Sequence, residues 1–595
     1  SLLYANGATG GIVNIVDNTI ATSDIDERLF KLGFETQSVN SGDGQSFSVA
    51  DNLGGLNLYF SYSDSSFGNY DIPSGAVLHE EEEHHDEDEE HEDDEHDEHD
   101  EDMGYLDNSD SAQEATRFGV SKVADWGYVG LAVSSSESIF GVPYHGEGHE
   151  EHGDEEEGHD EHEEERIFSN TESDKVNIRG QVGQVDFFFQ DSEYSHTEQH
   201  AEEEHGDEHG DEDGDHDDHG HGEEGPTTFS NDSSEFGFIV DLSNDLMTQK
   251  VSLNSSEETV KIFGDEAFMN PADREELTIG YFAKRDFDMF EVSFGVRYDQ
   301  IDTSGSLTEH HEEEGHDEED HDEDHEEHEE ETTNYSFDSS NLSFALDLSR
   351  SLSENLNLNL GYSNVERAPS VIELFMNGPH LATGRFETGD VNLRTETSSN
   401  FDIGLSYEAD NNYASLTIFR NDVDNYIYRK DRAPGVEGPG EMKLEFADFV
   451  QQDAELDGYE IQVGTDFDFL NGNLALTVGR DSVDGTFTDG KNIPRMVPAR
   501  DIYTLTYTED NLTVDIDLTE VNAQNDFAAS GDSATAGFEL LDVSISRSFA
   551  LEGVEDFEVV LFANNLLDEI ARNHSSTVKN EVPLPGKNLG IGFRV

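Results

Sequence analysis

The feature that most limits how this chain can fold is a strict two-residue alternation. Phe290-Glu-Val292-Ser-Phe294-Gly-Val296-Arg-Tyr298 puts every apolar side chain on one face of an extended segment. The same rhythm runs through Leu277/Ile279/Tyr281, Leu342/Phe344/Leu346/Leu348, Leu356/Leu358/Leu360/Tyr362, Phe401/Ile403/Leu405/Tyr407, Leu512/Val514/Ile516/Leu518 and Leu589/Ile591/Phe593/Val595. Alternation of this kind specifies β-strands with one apolar and one polar face. The polar face carries Ser, Asn, Asp, Gly and Thr, which suits a hydrated interior. No stretch approaches the roughly 18 apolar residues of a spanning helix, but a spanning β-barrel needs none, because its strands never look hydrophobic overall.

A soluble β-sandwich would alternate in the same way, so the connections must decide. Short polar turns appear at Asn52–Gly55, Asp125–Gly127, Ser243–Asp245, Ser351–Asn355, Glu408–Asn412 and Leu470–Asn473, with long loops between them. Short turns on one side and long loops on the other mark an outer-membrane barrel. The reading is an all-β chain: a 22-stranded antiparallel transmembrane β-barrel over residues 27–595, the strand number of plugged outer-membrane transporters. Tyr298, Tyr362, Tyr426, Tyr428, Tyr503 and Tyr507 near strand ends fit aromatic girdles, and Trp126 beside a short turn fits the periplasmic interface.

Four tracts interrupt this pattern, at 78–102, 145–165, 196–224 and 309–331, and each is built almost wholly of His, Asp, Glu and Gly. They hold 24 of the 26 histidines and 60 of the 139 acidic residues, with no Lys or Arg; only His380 and His574 lie outside them. Such runs have nothing apolar to bury and cannot form a core. They offer imidazole nitrogen and carboxylate oxygen at high density, the ligand set of zinc and neighbouring divalent metals. The plain alternative is solvated surface. Two details favour metal capture: histidine adds little to solubility at neutral pH, and it recurs one to five residues apart, so several imidazoles can meet on one ion. With no HExxH-type motif, the tracts read as low-specificity metal sponges in long extracellular loops. Their candidate ligands are His84, His85, His91, His96 and His99; His145 and His149; His216, His219 and His221; and His321, His325 and His328.

The net charge of −108 argues against nucleic acid as a partner. The absence of cysteine removes thiolate sites, Fe–S clusters and disulfides. No catalytic constellation is present, since acidic pairs without a shaped apolar pocket do not make an acid/base site; the chain is not read as an enzyme.

Three segments resemble the TonB-dependent outer-membrane receptors. Tyr4-Ala-Asn-Gly7-Ala-Thr-Gly10-Gly11-Ile-Val13-Asn14-Ile15 resembles the motif that ends that family's plug domain, Ala563-Asn564-Asn565-Leu566-Leu567-Asp568 its penultimate-strand motif, and Pro585-Gly586-Lys587 the "PGR" before its last strand. Lys587 departs from that arginine, and Val595 stands where the family has a terminal aromatic. The resemblance implies that residues 1–26 are the C-terminal remnant of a plug, with most of the plug and the TonB box lying outside this chain. Arg367-Ala-Pro369 through Glu373-Leu374-Phe375 and Gly378-Pro379-His380-Leu-Ala382-Thr383 to Phe386-Glu387-Thr-Gly389 is similar to a loop of the ZnuD-type zinc receptors within that family.

That resemblance singles out His380 as a zinc ligand lining the path to the plug, with Glu387, Asp390 or Glu373 as candidate partners. The competing reading is a loop-packing imidazole hydrogen-bonded to backbone. Arg367 and Glu373 read as a structural pair fixing the loop to the wall. His145, anchored by Val142-Pro143-Tyr144, and His149 rank above the other tract histidines, and His574 reads as incidental. The implied function is TonB-dependent import of Zn²⁺ as transported cargo, with Cu²⁺ or Ni²⁺ also compatible, and no organic cofactor. The implied setting is a monomer in outer-membrane lipid, energised by the TonB–ExbB–ExbD complex. Three alternatives stand beside it: TonB-dependent import of another divalent metal or of a chelate (siderophore or heme), a metal-buffering surface barrel without active transport, and a soluble secreted β-protein.

Overall fold

In a computed structural model the alternating segments become one closed wall. The structure describes residues 7, 9, 11–13, 15–78, 104–143, 166–200, 225–264, 267–309, 331–380, 383, 385–432, 445–528, 532–551 and 554–595. The sheet is a 22-stranded antiparallel barrel, as the alternation predicts. Each strand pairs with its sequence neighbours, and the first, Leu29–Gln37, closes the ring against the last, Asn588–Arg594. Val595 completes that seam: its N–H donates to Leu32 O (2.9 Å) and its carbonyl accepts from Leu32 N (3.1 Å). Closure leaves no strand edge exposed, which a sheet surrounded by lipid requires.

The two faces divide as the sequence pattern says. Leu277, Ile279, Leu342, Leu346, Phe401 and Ile403 are exposed on the outside, where lipid covers them, while Thr278, Arg297, Asp299, Asn341 and Ser343 are buried on the inside. There Arg297 donates to Asp299 (2.5 Å) and Glu276 (3.1 Å), so each buried charge has a partner.

Connections on one rim run two to six residues; on the other they run from five residues, at 38–42, to 43, at 68–110. All four His/acid tracts fall in connections of the long rim. One boundary moves. The third tract is read from sequence as loop from His196, but His196–His200 form the end of the strand Val185–His200, in register with Thr227 and its neighbours. Strands also outgrow the membrane on this side: Glu445–Phe469 has 25 residues, where about 9–11 suffice to span a bilayer.

The N-terminal segment runs along the inner wall. Ser121 Oγ donates to Ala21 O (2.6 Å), and Asn57 Oδ1 accepts from Ile25 N (3.0 Å). Glycine at 119 is a requirement of that approach, since a Cβ there would stand 1.8 Å from Thr19 O.

Candidate metal site in the long-loop cap

The site is built by the connection 368–395, which folds into the barrel mouth. Ser370-Val-Ile-Glu373 is a capping-box sequence, and it forms the one-turn helix Val371–Phe375. Ser370 N donates to Glu373 Oε2 (2.7 Å), and Glu373 N donates to Ser370 Oγ (3.2 Å). The helix buries Val371, Leu374 and Phe375 against Phe268, Met269 and Ile427, a small apolar core that holds the cap together. Arg367, at the end of the strand Leu356–Arg367, forks onto Glu373 at 3.0–3.2 Å and reaches Glu396 at 3.4 Å. The pairing expected of Arg367 and Glu373 as a loop anchor is present, and it occupies Glu373.

Beyond the helix, Asn377–His380 and Arg385–Thr388 form a short hairpin. Its second strand adds in parallel to the projecting end of Glu445–Phe469. Gly378 is fixed by packing, since a Cβ would lie 2.2 Å from Phe268 Cβ. Arg385 locks the hairpin from below: Nε donates to Asp431 (2.9 Å), Nη1 to Thr383 O (2.6 Å) and Nη2 to Glu445 (3.3 Å). Asp431, almost fully buried, also accepts from Arg495.

This scaffold brings His380 and Glu387 together. Nδ1 stands 3.5 Å from Glu387 Oε1 and is buried, with no hydrogen-bond partner among the described residues. The ring lies between Phe268 (centroids 5.7 Å) and Phe229 (6.5 Å). Glu387 is 3 % exposed; it accepts from Arg429 and, at 3.2 Å, from Thr383 Oγ1. Burial works to raise its pKa, but the His380 imidazole, the Arg429 guanidinium and the Thr383 hydroxyl together hold it below the usual carboxylate range. The carboxylate is therefore charged at neutral pH, and a metal at it would compete with Arg429. Two ligands of a tetrahedral zinc, at about 2.0–2.2 Å from the metal, stand about 3.3–3.5 Å apart. The His380–Glu387 spacing matches that bite.

Other candidates are placed differently. Asp390 does not join the pair: its Oδ1 accepts from Asn392 N (2.8 Å) and Nδ2 (3.0 Å), an Asx turn that ends the loop. Among the described residues no set of three His, Asp or Glu side chains converges on one point. His84, His85, His91, His96, His99, His145, His149, His216, His219, His221, His321, His325 and His328 lie outside the described residues. His574, read as incidental, is buried in a polar cluster with Thr535 (2.7 Å), Lys579 (3.4 Å) and Asp532 (3.7 Å). Arg385, Arg429, Asp431 and Arg495 went unread, because their partners lie 42 to 64 residues away in sequence and no local spacing reports such pairs.

Residues 158–566 match the family model described as "TonB dependent receptor-like, beta-barrel". A 103-residue segment is 33% identical to the ferrienterobactin receptor of Escherichia coli K12; it covers 16% of this chain and 14% of that receptor. The fold is also similar to the structure of the copper transporter OprC (TM-score 0.69, 13% identity, covering 96% of this chain and 80% of that one). A further likeness is to the FrpB iron transporter of Neisseria meningitidis (TM-score 0.64, 14% identity, 97% and 83% covered).

Proposed function

From the premise that this chain belongs to the TonB-dependent receptor family, whose barrels sit in the Gram-negative outer membrane and carry ligands without transforming them, we propose that it imports a divalent transition metal and that the metal is Zn²⁺. The observation that carries this reading is the His380–Glu387 pair: a buried imidazole nitrogen without a hydrogen-bond partner, at ligand–ligand distance from a charged carboxylate. At 3.5 Å the contact is long for a hydrogen bond, and a cation between the two groups would satisfy both.

The four tracts open onto the same rim and feed this pair. Their negative charge raises the local cation concentration, and many weak N/O ligands bind without trapping. Arg429 competes with the metal for Glu387, which makes release easy. The inward path past the plug remnant at 1–26, and the work supplied by the TonB–ExbB–ExbD complex, are part of the proposal. The sulfur-free ligand set suits zinc, though copper and nickel bind imidazole comparably.

A chelate is the second reading, favoured by the stacked Tyr426 and Tyr428 (6.2 Å) and by Arg385, Arg429 and Arg495 in the cap. Those arginines already face Glu387 and Asp431, so an anionic chelate would have to displace carboxylates. That weighs against it.

The test is ⁶⁵Zn uptake by zinc-limited cells carrying the full-length receptor, its His380→Ala variant or a four-tract deletion, with Cu²⁺ and Ni²⁺ as competitors. Uptake should be lost with His380→Ala and weakened at scarce zinc by the deletion. Unchanged uptake in both would reject the zinc reading and leave the chelate.

A further inference from the structure

We infer that His196 and Glu198 form a second metal-accepting pair on the barrel wall beside His380, for the same class of divalent cation; the cation class rests on the reading above. The two residues stand two apart in the strand Val185–His200 and so share a face. His196 Nε2 is 3.0 Å from Glu198 Oε1, and the two side chains are 18% and 20% exposed, covered yet reachable.

The surroundings differ from those of an imidazole held only by packing. Ser169 Oγ lies 3.0 Å from Nδ1 and 3.2 Å from Nε2, and Thr171 Oγ1 lies 3.2 Å from Nδ1. A ligating histidine nearly always donates its second N–H to a neighbouring acceptor, which fixes the ring and its tautomer. Nε2 donates to Glu198 Oε1 in the metal-free pair, so a cation binding there would replace that proton, while the Ser169 and Thr171 hydroxyls can accept the proton that then sits on Nδ1. Among the described residues the ion-pair partner of Glu198 is His196, whereas Glu387 is contested by Arg429.

Position supports a sequence of two stations. The His196 ring packs on Phe140 (5.7 Å) and Phe229 (5.4 Å), and Phe229 in turn faces His380 (6.5 Å). One aromatic ring thus separates the wall pair from the cap pair. A cation taken up at the mouth meets His196–Glu198 without a competing guanidinium, then His380–Glu387, where Arg429 promotes release.

Diethylpyrocarbonate labelling of the detergent-solubilised full chain, read residue by residue by peptide mass spectrometry during titration with ZnCl₂, tests this. Zn²⁺ but not Mg²⁺ should protect His196. Glu198→Gln should raise the zinc needed for half-protection at least about tenfold, and His380→Ala should leave His196 protection in place. His196 staying reactive at zinc levels that protect His380 would overturn the second pair and leave the zinc reading standing. Protection of neither would overturn both. The unsubstituted protein decides these outcomes even if a variant misfolds, and His380 protection in the Glu198→Gln protein reports that its cap is intact.

Discussion

Two histidines outside the described wall, His380 and His574, each meet a carboxylate in the long-loop cap, yet they are built for different work. His380 faces Glu387 at 3.5 Å with a side chain 26% exposed, and its Nδ1 has no hydrogen-bond partner among the described residues. His574 faces Asp532 at 3.7 Å and is 1% exposed; its Nε2, on the side of Asp532, likewise has no hydrogen-bond partner among the described residues, but its Nδ1 meets Thr535 and Lys579, and Asp532 is held by Lys579 (3.1 Å) and the Arg495 backbone N–H (3.1 Å). Burial, followed by the Lys579 charge, pushes the His574 pKa down. A cation approaching His574 would have to displace an ammonium through packed loop. What separates the two is reach, 26% against 1% exposure, since a carboxylate already paired with a cationic side chain, Arg429 or Lys579, is common to both.

Asp431 connects the two, because it pairs with Arg385 under the His380 hairpin and with Arg495 beside Asp532. Asp431→Ala should have the largest effect, removing the buried carboxylate that the Arg385 and Arg495 guanidiniums share, at a cost of about 3 kcal/mol in the cap. Hydrogen exchange should accelerate across 377–388 and 565–587 together while wall amides stay protected. Acceleration in one loop alone would break the link.

The comparison sharpens with single substitutions. His380→Ala should abolish ⁶⁵Zn uptake by zinc-limited cells, and His574→Gln should leave it unchanged. An equal effect from both would end the distinction between ligand and strut.

Acid gives a third, smaller effect. A histidine whose pKa is depressed by folding is neutral in both states above about pH 6.5; below that the unfolded chain takes up a proton the folded cap refuses. Cap stability should therefore fall as pH drops below about 6.5, by no more than about 1.4 kcal/mol per pH unit for one proton, and His574→Gln should flatten the slope seen by hydrogen exchange at 565–587. Zinc capture by the tracts should weaken in the same range, because protons compete for imidazole. A tract deletion should remove that second loss without altering the first.

The smallest effect is expected of Glu373→Gln. It retains the cap geometry and weakens the Arg367 pair, which also holds Glu396, at about 1 kcal/mol or less. Slightly faster exchange at 371–376 with normal zinc uptake should result, consistent with a loop anchor.

The sequence alone carried the wall. Period-two alternation fixes which residues face lipid, and the contrast of turn and loop lengths fixes which rim bears the tracts, because both are local properties of an antiparallel chain. It also marked Arg367 and Glu373 as a pair, six residues apart. It could not separate His196 from the tract it heads, since a strand that projects past the membrane keeps its register in a composition that reads as loop. Nor could it place His574 in a polar cluster with Thr535 and Asp532, or set Glu387 against Arg429. Those outcomes depend on Arg429, Asp532 and Thr535 reaching the cap from other strands and loops, and on Phe229 standing between His196 and His380. Only closure of the barrel brings such distant residues within ångströms. Ligand chemistry was therefore written in residue types, while reach, burial and competing charge were decided by the tertiary structure.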